Sequence, residues 1–263
     1  MLRPLFLEEI DDDGIARITL TRPEVHNAFD DTLVGELTAA LQGLGSDPRV
    51  RALVLAARGK SFSAGADVKW MQRMAGYTEQ ENLEDARALA GLMATLNGLA
   101  KPTMALVQGP ALGGGVGLVA CCDIAVAAET ASFCFSEVKL GLIPAVIGPY
   151  VVAAIGERAA RRYFLTAERF SASEAQRLGL VHEVVPDEAL EDAGRKILKA
   201  LLSGGPEAQV EAKALILAVA NRRPDEALIE DTAARIARRR ASDEGREGIA
   251  AFLEKRKPKW LKT

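Results

Sequence analysis

Cysteine and histidine are scarce in this chain, and neither charge sign dominates. The three cysteines are the adjacent pair Cys121 and Cys122 and the separate Cys134. An odd count without regular spacing excludes a disulfide framework and suits a reducing compartment. With only two histidines, His26 and His182, and no cysteines at metal-ligand spacing, no metal site is expected. The cysteines read as small apolar core residues. A formal net charge of −3 excludes a protein that coats nucleic acid, which needs a strong basic excess. The basic residues near the C-terminus (Lys255, Arg256, Lys257, Lys259 and Lys262) are a local exception.

No long uninterrupted apolar run occurs either. The most apolar stretch, residues 104–128, contains Gln108, Pro110, three consecutive glycines and Asp123, so it reads as buried core and not as a membrane span. The N-terminal stretch meets acidic residues before any long apolar region, which is not a secretory pattern. A cytoplasmic protein is expected.

What remains is ordinary globular material: 263 residues, about half apolar and a quarter charged. Residues 14–20 alternate apolar and polar and predict a strand, and 50–56 and 103–107 predict buried strands. Further strands are predicted around 123–127, 133–135 and 181–185. Helical spacing covers 28–44 and 82–99. Ser171 with Glu174 predicts a capping box at the start of a helix over 171–178. Beyond that, helices are predicted over 187–202, 206–220, 225–241 and 244–255. The pattern is an α/β core, residues 1–190, followed by a helical region, residues 191–263.

Four segments stand apart: GKSFSAGAD at 59–67, GPALGGG at 109–115, FSEVKLGLIP at 135–144 and FLEKRK at 252–257. Singly, each has a plain explanation as a tight turn, a packing motif or a solvated face. GPALGGGVG lacks the Lys-Ser/Thr of a phosphate-binding P-loop. Together, in this order and at this separation, the four resemble the crotonase (enoyl-CoA hydratase/isomerase) superfamily over essentially the full length.

That resemblance implies a spiral of ββα units followed by a helical C-terminal region used for trimer assembly. The implied substrate is an acyl-CoA thioester, with coenzyme A entering as part of the substrate and no prosthetic group. The implied partners are copies of the same chain, as a homotrimer or a dimer of trimers. By match to the family motif, the backbone N–H groups of Ala66 and Gly114 form an oxyanion hole, Gly114 also opening a helix. Glu137 is the proton-transferring carboxylate. The carbonyl of Ala64 matches the group that receives the adenine amino group. Arg22 and Val25 match the loop that runs along the CoA chain, where Arg22 is expected to meet a phosphate, and Phe252 and Lys255 match positions that reach the CoA of a neighbouring subunit. Trp70, Met71 and Met74, with Tyr77 and Tyr150, are candidates for the acyl pocket. Asp67 and Asp123 read as structural.

One departure matters. The usual hydratase carries a second glutamate where this chain has Gly117. Single-glutamate relatives include isomerases that move a double bond from the 3- to the 2-position. The run SEVKLGLIPAVIGPYVV, with GGGVGLVACCD, resembles instead hydratases of branched unsaturated acyl-CoAs, such as the methylglutaconyl- and carboxygeranoyl-CoA hydratases. A hydratase of a branched 2-enoyl-CoA is therefore the first expectation and an isomerase the second. A non-catalytic CoA- or RNA-binding homologue is a third, which the net negative charge and the presence of Glu137 disfavour.

Overall fold

A computed structural model describes residues 4–261, so Lys262 of the basic tail lies outside the described residues. Among the described residues nine strands form two sheets. They are β1 (Phe6–Ile10), β2 (Ile15–Leu20), β3 (Ala52–Ala57), β4 (Thr103–Val107), β5 (Ala111–Leu112), β6 (Ile124–Ala128), β7 (Ser132–Cys134), β8 (Phe170–Ser171) and β9 (Glu183–Val185). The larger sheet has the order β1-β2-β3-β4-β6-β9; β1 pairs antiparallel to β2, and every other pair is parallel. The smaller sheet has the order β5-β7-β8.

The helices are α1 (Asp31–Ser46), α2 (Val68–Met74), α3 (Glu79–Asn97), α4 (Gly114–Cys121), α5 (Gly148–Thr166), α6 (Ala172–Leu178), α7 (Leu190–Ser203), α8 (Pro206–Val219), α9 (Glu226–Ala241) and α10 (Asp243–Leu253). The arrangement is mixed α/β, with a largely parallel main sheet.

Strands β3, β4 and β6 read as continuous apolar runs because both faces of the sheet are covered. On one face Leu53, Leu55, Ala105, Val107, Ala125 and Ala127 pack with Leu33, Leu37 and Leu41 of α1 and Leu92, Met93 and Leu96 of α3. On the other, Val54, Met104, Leu106 and Val126 meet Leu190, Ala193, Ile197 and Leu198 of α7. The period of two in the strands thus sorts the residues cleanly between two layers. Although α7 begins at Leu190, where the predicted core ends, it roofs the sheet.

Two local features differ from the sequence expectation. The Ser171 side chain accepts a hydrogen bond from Glu174 N, but the Glu174 carboxylate turns to Tyr163 and Arg177, so only half of the capping box forms. The complete box lies at Thr78 and Glu81, at the head of α3. Strand β1 and the short α2 carry no clear periodicity: β1 is half exposed with two central glutamates, and α2 has one buried residue, Trp70.

Helices α8, α9 and α10 leave Ile216, Leu217, Ile229, Ile236, Ile249, Phe252 and Leu253 exposed. No helix among the described residues is long and apolar enough to cross a membrane.

Candidate active site

Two loops meet at the C-terminal ends of β3 and β4, and main-chain pairing holds them together. Ser63 N–H donates to the Pro110 carbonyl (3.2 Å), and the Ser63 carbonyl accepts from Leu112 N–H (2.9 Å). Two residues on, Phe29 N–H donates to the Gly65 carbonyl (2.7 Å) while Asp67 N–H donates to the Phe29 carbonyl (2.7 Å). In such a parallel bridge the residue between the two bonded partners has its own amide directed away from the pairing strand. That residue is Ala66, whose N–H has no acceptor among the described residues.

Gly65 must be glycine. Its φ is +82°, and an added Cβ would lie 2.9 Å from the Leu112 carbonyl oxygen. Gly113, also at positive φ (+49°), is the cap residue before α4, so Gly114 is the first residue of that helix. Its N–H is one of the donors a helix start leaves without an intrahelical acceptor. The positive end of the helix macrodipole faces the same way.

Glu137 starts a 3-10 turn over Glu137–Leu140 after β7. A Cβ added at Gly113 would lie 3.1 Å from Glu137 Oε1, so the carboxylate rests against the glycine backbone. Its Oε2 is buried with no hydrogen-bond partner among the described residues. Burial pushes the carboxyl pKa above the ordinary value, against a smaller lowering from its own backbone N–H.

Ala64, Ala66, Gly114 and Glu137 line one cavity of about 330 Å³. Trp70, Met71 and Met74 line it too, joined by Leu89, Ile143, Val146 and Ile147. Tyr77 and Tyr150 are not among its lining residues, and Tyr150 packs on the core. A wider groove of about 480 Å³ lies between α8, α9 and α10, but neither Glu137 nor the glycine-rich loops reach it.

The remaining expected residues fall outside the cavity. Val25 ends the 3-10 turn Pro23–Val25 beside the loop. Arg22 is not free for a phosphate as placed: its guanidinium pairs with Asp30 (2.8 Å) and Asp67 (3.5 Å) and donates to the Ala28 carbonyl (3.0 Å). It braces the loop. Phe252, 82% exposed, and Lys255, at positive φ, lie at and just beyond the end of α10, away from the cavity within one chain.

Asp67 caps α2 through Lys69 N–H. Asp123 ties Thr103 of β4 to Lys213 of α8. Burial raises the Cys121 thiol pKa and pushes that of Cys122 up to about 12, so neither is a ready nucleophile.

One contributor has no separate signal in the sequence. Asn27 is fully buried at φ +54°; its side-chain amide donates to the Arg58 and Ser61 carbonyls (2.8 Å each), and its Oδ1 accepts from Arg22 N–H. It fixes the approach of residues 58–66.

The family model described as enoyl-CoA hydratase/isomerase matches residues 11–263. The chain belongs to the enoyl-CoA hydratase/isomerase family. An enoyl-CoA hydratase of Shewanella pealeana is 46% identical with a TM-score of 0.95, the alignment covering 98% of this chain and 96% of that one. A Legionella pneumophila structure described as of the enoyl-CoA hydratase/isomerase (crotonase) kind is 51% identical with a TM-score of 0.93, covering 98% and 99%. A Thermus thermophilus relative bearing an enoyl-CoA hydratase name is 35% identical over 96% of this chain and 99% of its own.

As a member of the enoyl-CoA hydratase/isomerase family the protein is an enzyme. The hydratase chemistry of this family needs no prosthetic group, coenzyme A being part of the substrate.

Position 117, which distinguishes this member from the two-glutamate design, lies in α4 with no room for a side chain. A Cβ there would fall 2.2 Å from Ile147 Cγ2 and 3.3 Å from Met93 Cε. The space beyond Gly117 is filled by apolar side chains.

Proposed function

We propose that this enzyme adds water across the 2,3-double bond of a 2-enoyl-CoA. The carrying observation is one cavity lined by two residues with unengaged main-chain N–H groups, Ala66 and Gly114, and by Glu137, whose buried Oε2 has no partner among the described residues.

The thioester oxygen accepts hydrogen bonds from Ala66 N–H and Gly114 N–H. Negative charge grows there as C3 is attacked, and each such donor supplies about 3–4 kcal/mol in comparable sites. Neutral Glu137 gives its proton to C2 while its other oxygen takes a proton from the incoming water. The water O–H bond breaks, the new C3–O bond forms, and the carboxyl ends as it began. A raised pKa favours the neutral form that starts this sequence.

The coenzyme A moiety lies along the loop holding Val25, its adenine amino group donating to the Ala64 carbonyl. Phe252 and Lys255 reach the CoA of a neighbouring subunit in a homotrimer or dimer of trimers, built by residues 191–263 against cores formed by residues 1–190. The exposed apolar row on α8 to α10 supports that assembly. The enzyme is placed in the cytoplasm. The acyl group is branched, following the resemblance to branched-chain hydratases, and an apolar lining of Trp70, Met71, Met74 and Leu89 suits a hydrocarbon branch.

An isomerase moving a 3-double bond to the 2-position is the second reading, favoured by a single carboxylate and the filled space at Gly117. The test is product analysis in deuterated water with a 2-enoyl- and a 3-enoyl-CoA, linear and branched. A 3-hydroxyacyl product from the 2-enoyl substrate supports the hydratase, while isomerisation without hydroxyacyl product replaces it with the second reading.

A further inference from the structure

A hydratase must hold a water molecule against C3, and a water in a mostly apolar cavity needs two to four polar partners. Among the described residues that line this cavity, apart from methionines, three have side chains with hydrogen-bonding atoms: Trp70, Ser136 and Glu137. The indole N–H of Trp70 is committed, donating to Asp85 at 2.9 Å. Position 117 contributes nothing, because Ile147 and Met93 occupy its space. The Ala66 and Gly114 amides are engaged by the thioester oxygen. Among the lining side chains that leaves Glu137 and Ser136.

Ser136 directly precedes the 3-10 turn that Glu137 begins, yet its hydroxyl makes no capping bond and has no partner among the described residues. A serine at a helix start commonly caps the first N–H groups. Here that bond is not made, although Lys139 N–H donates to the Ser136 main-chain carbonyl at 3.1 Å.

We propose that the Ser136 hydroxyl is the second anchor of the attacking water, taking the place a second carboxylate holds in the two-glutamate design. The water donates one hydrogen to Glu137 and the other to Ser136 Oγ, which leaves a lone pair for C3. No proton passes to Ser136, and the hydrogen it holds stays on the product hydroxyl. Ser136 is thus a positioning residue for the nucleophile. The proposal rests on the hydratase reading above.

The experiment compares two activities in Ser136→Ala and Ser136→Thr. One is hydration, followed by loss of the conjugated thioester absorbance. The other is exchange of the C2 proton of a saturated acyl-CoA in deuterated water, followed by NMR, which needs Glu137 and the oxyanion donors but no bound nucleophile. In Ser136→Ala, hydration kcat should fall about 10–100-fold, the scale of a lost hydrogen bond in a polar transition state. Exchange should stay within about twofold of wild type, and Ser136→Thr should recover most of the hydration.

Undiminished hydration in Ser136→Ala overturns the proposal, as does a parallel fall in both activities, which marks a merely structural residue. The hydratase reading is tested separately, in the wild type: isomerisation of a 3-enoyl-CoA with no hydration of a 2-enoyl-CoA removes that reading and this proposal with it.

Discussion

Gly117 and Ile147 are complementary: a β-carbon added at the glycine would sit 2.2 Å from Ile147 Cγ2, and Ile147 is 2% exposed. The glycine of α4 is therefore a socket for the isoleucine that precedes α5. A glutamate cannot simply be restored at 117, because its first carbon already collides with a packed side chain.

Gly117→Ala should accordingly destabilise the protein by about 1–3 kcal/mol, overpacking outweighing the roughly 1 kcal/mol that alanine gains over glycine in a helix. In an Ile147→Ala background the same change should cost far less. Denaturant titration of the four proteins of this cycle measures the coupling; additive costs would show that the two side chains do not compete for one space.

Glu137→Gln should lower hydration kcat by about 10²–10⁴-fold, the usual worth of a general acid–base group. It should also change stability with a defined sign. Burial raises the folded-state pKa of Glu137, so at pH values between the ordinary and the raised pKa the folded chain keeps a proton that the unfolded chain has released. The stability associated with Glu137 therefore falls as pH rises through that window. Glu137→Gln removes the loss, so its Tm should exceed that of wild type at neutral pH and converge with it below the ordinary carboxylate range. Thermal melts across pH check this, and a Tm difference independent of pH would contradict it.

Gly114 carries a different constraint, since a Cβ there would lie 2.7 Å from the buried Phe29 ring. Phe29 also makes both main-chain bonds that orient Ala66. Gly114→Ala should thus lower kcat by about 10–100-fold through displacement of one or both of the proposed oxyanion donors. Phe29→Leu added to it should restore part of the rate. Steady-state kinetics on the single and double variants decide the point.

Asp85 orients the wall of the cavity through Trp70 Nε1 at 2.9 Å. Losing that bond costs about 1 kcal/mol, or roughly a fivefold rise in KM for substrates whose acyl chain reaches Trp70. Asp85→Ala should show the rise and Asp85→Asn, which keeps an acceptor, should not. With only Trp70 and Trp260 in the chain, intrinsic fluorescence reports the same loosening independently.

Much of this was legible in the residues. The apolar runs that became β3, β4 and β6 are readable because two-sided burial demands continuous hydrophobicity. Gly65, Gly114 and Glu137 stand in motifs whose resemblance to the crotonase family implies thioester chemistry, and the fold brings their segments to one cavity. Arg22 was less legible: an arginine in a loop suggests a phosphate partner, and only the fold reveals Asp30 and Asp67 on either side of it. Asn27 was silent, since nothing local marks an asparagine that will be buried at positive φ to satisfy two distant carbonyls. Ile147 was equally silent, because a partner for Gly117 thirty residues away is set by packing and not by periodicity.

The bridges made by Ser63 and Phe29 carry one more implication. They hold the Ala66 part of the pocket with peptide groups, which every sequence possesses, while Met71, Met74 and Leu89 line it with replaceable side chains. Chemistry and taste for substrate are thereby written in separate alphabets. Redesigning those side chains to accept a new acyl chain should leave the proposed oxyanion donors and Glu137 in place.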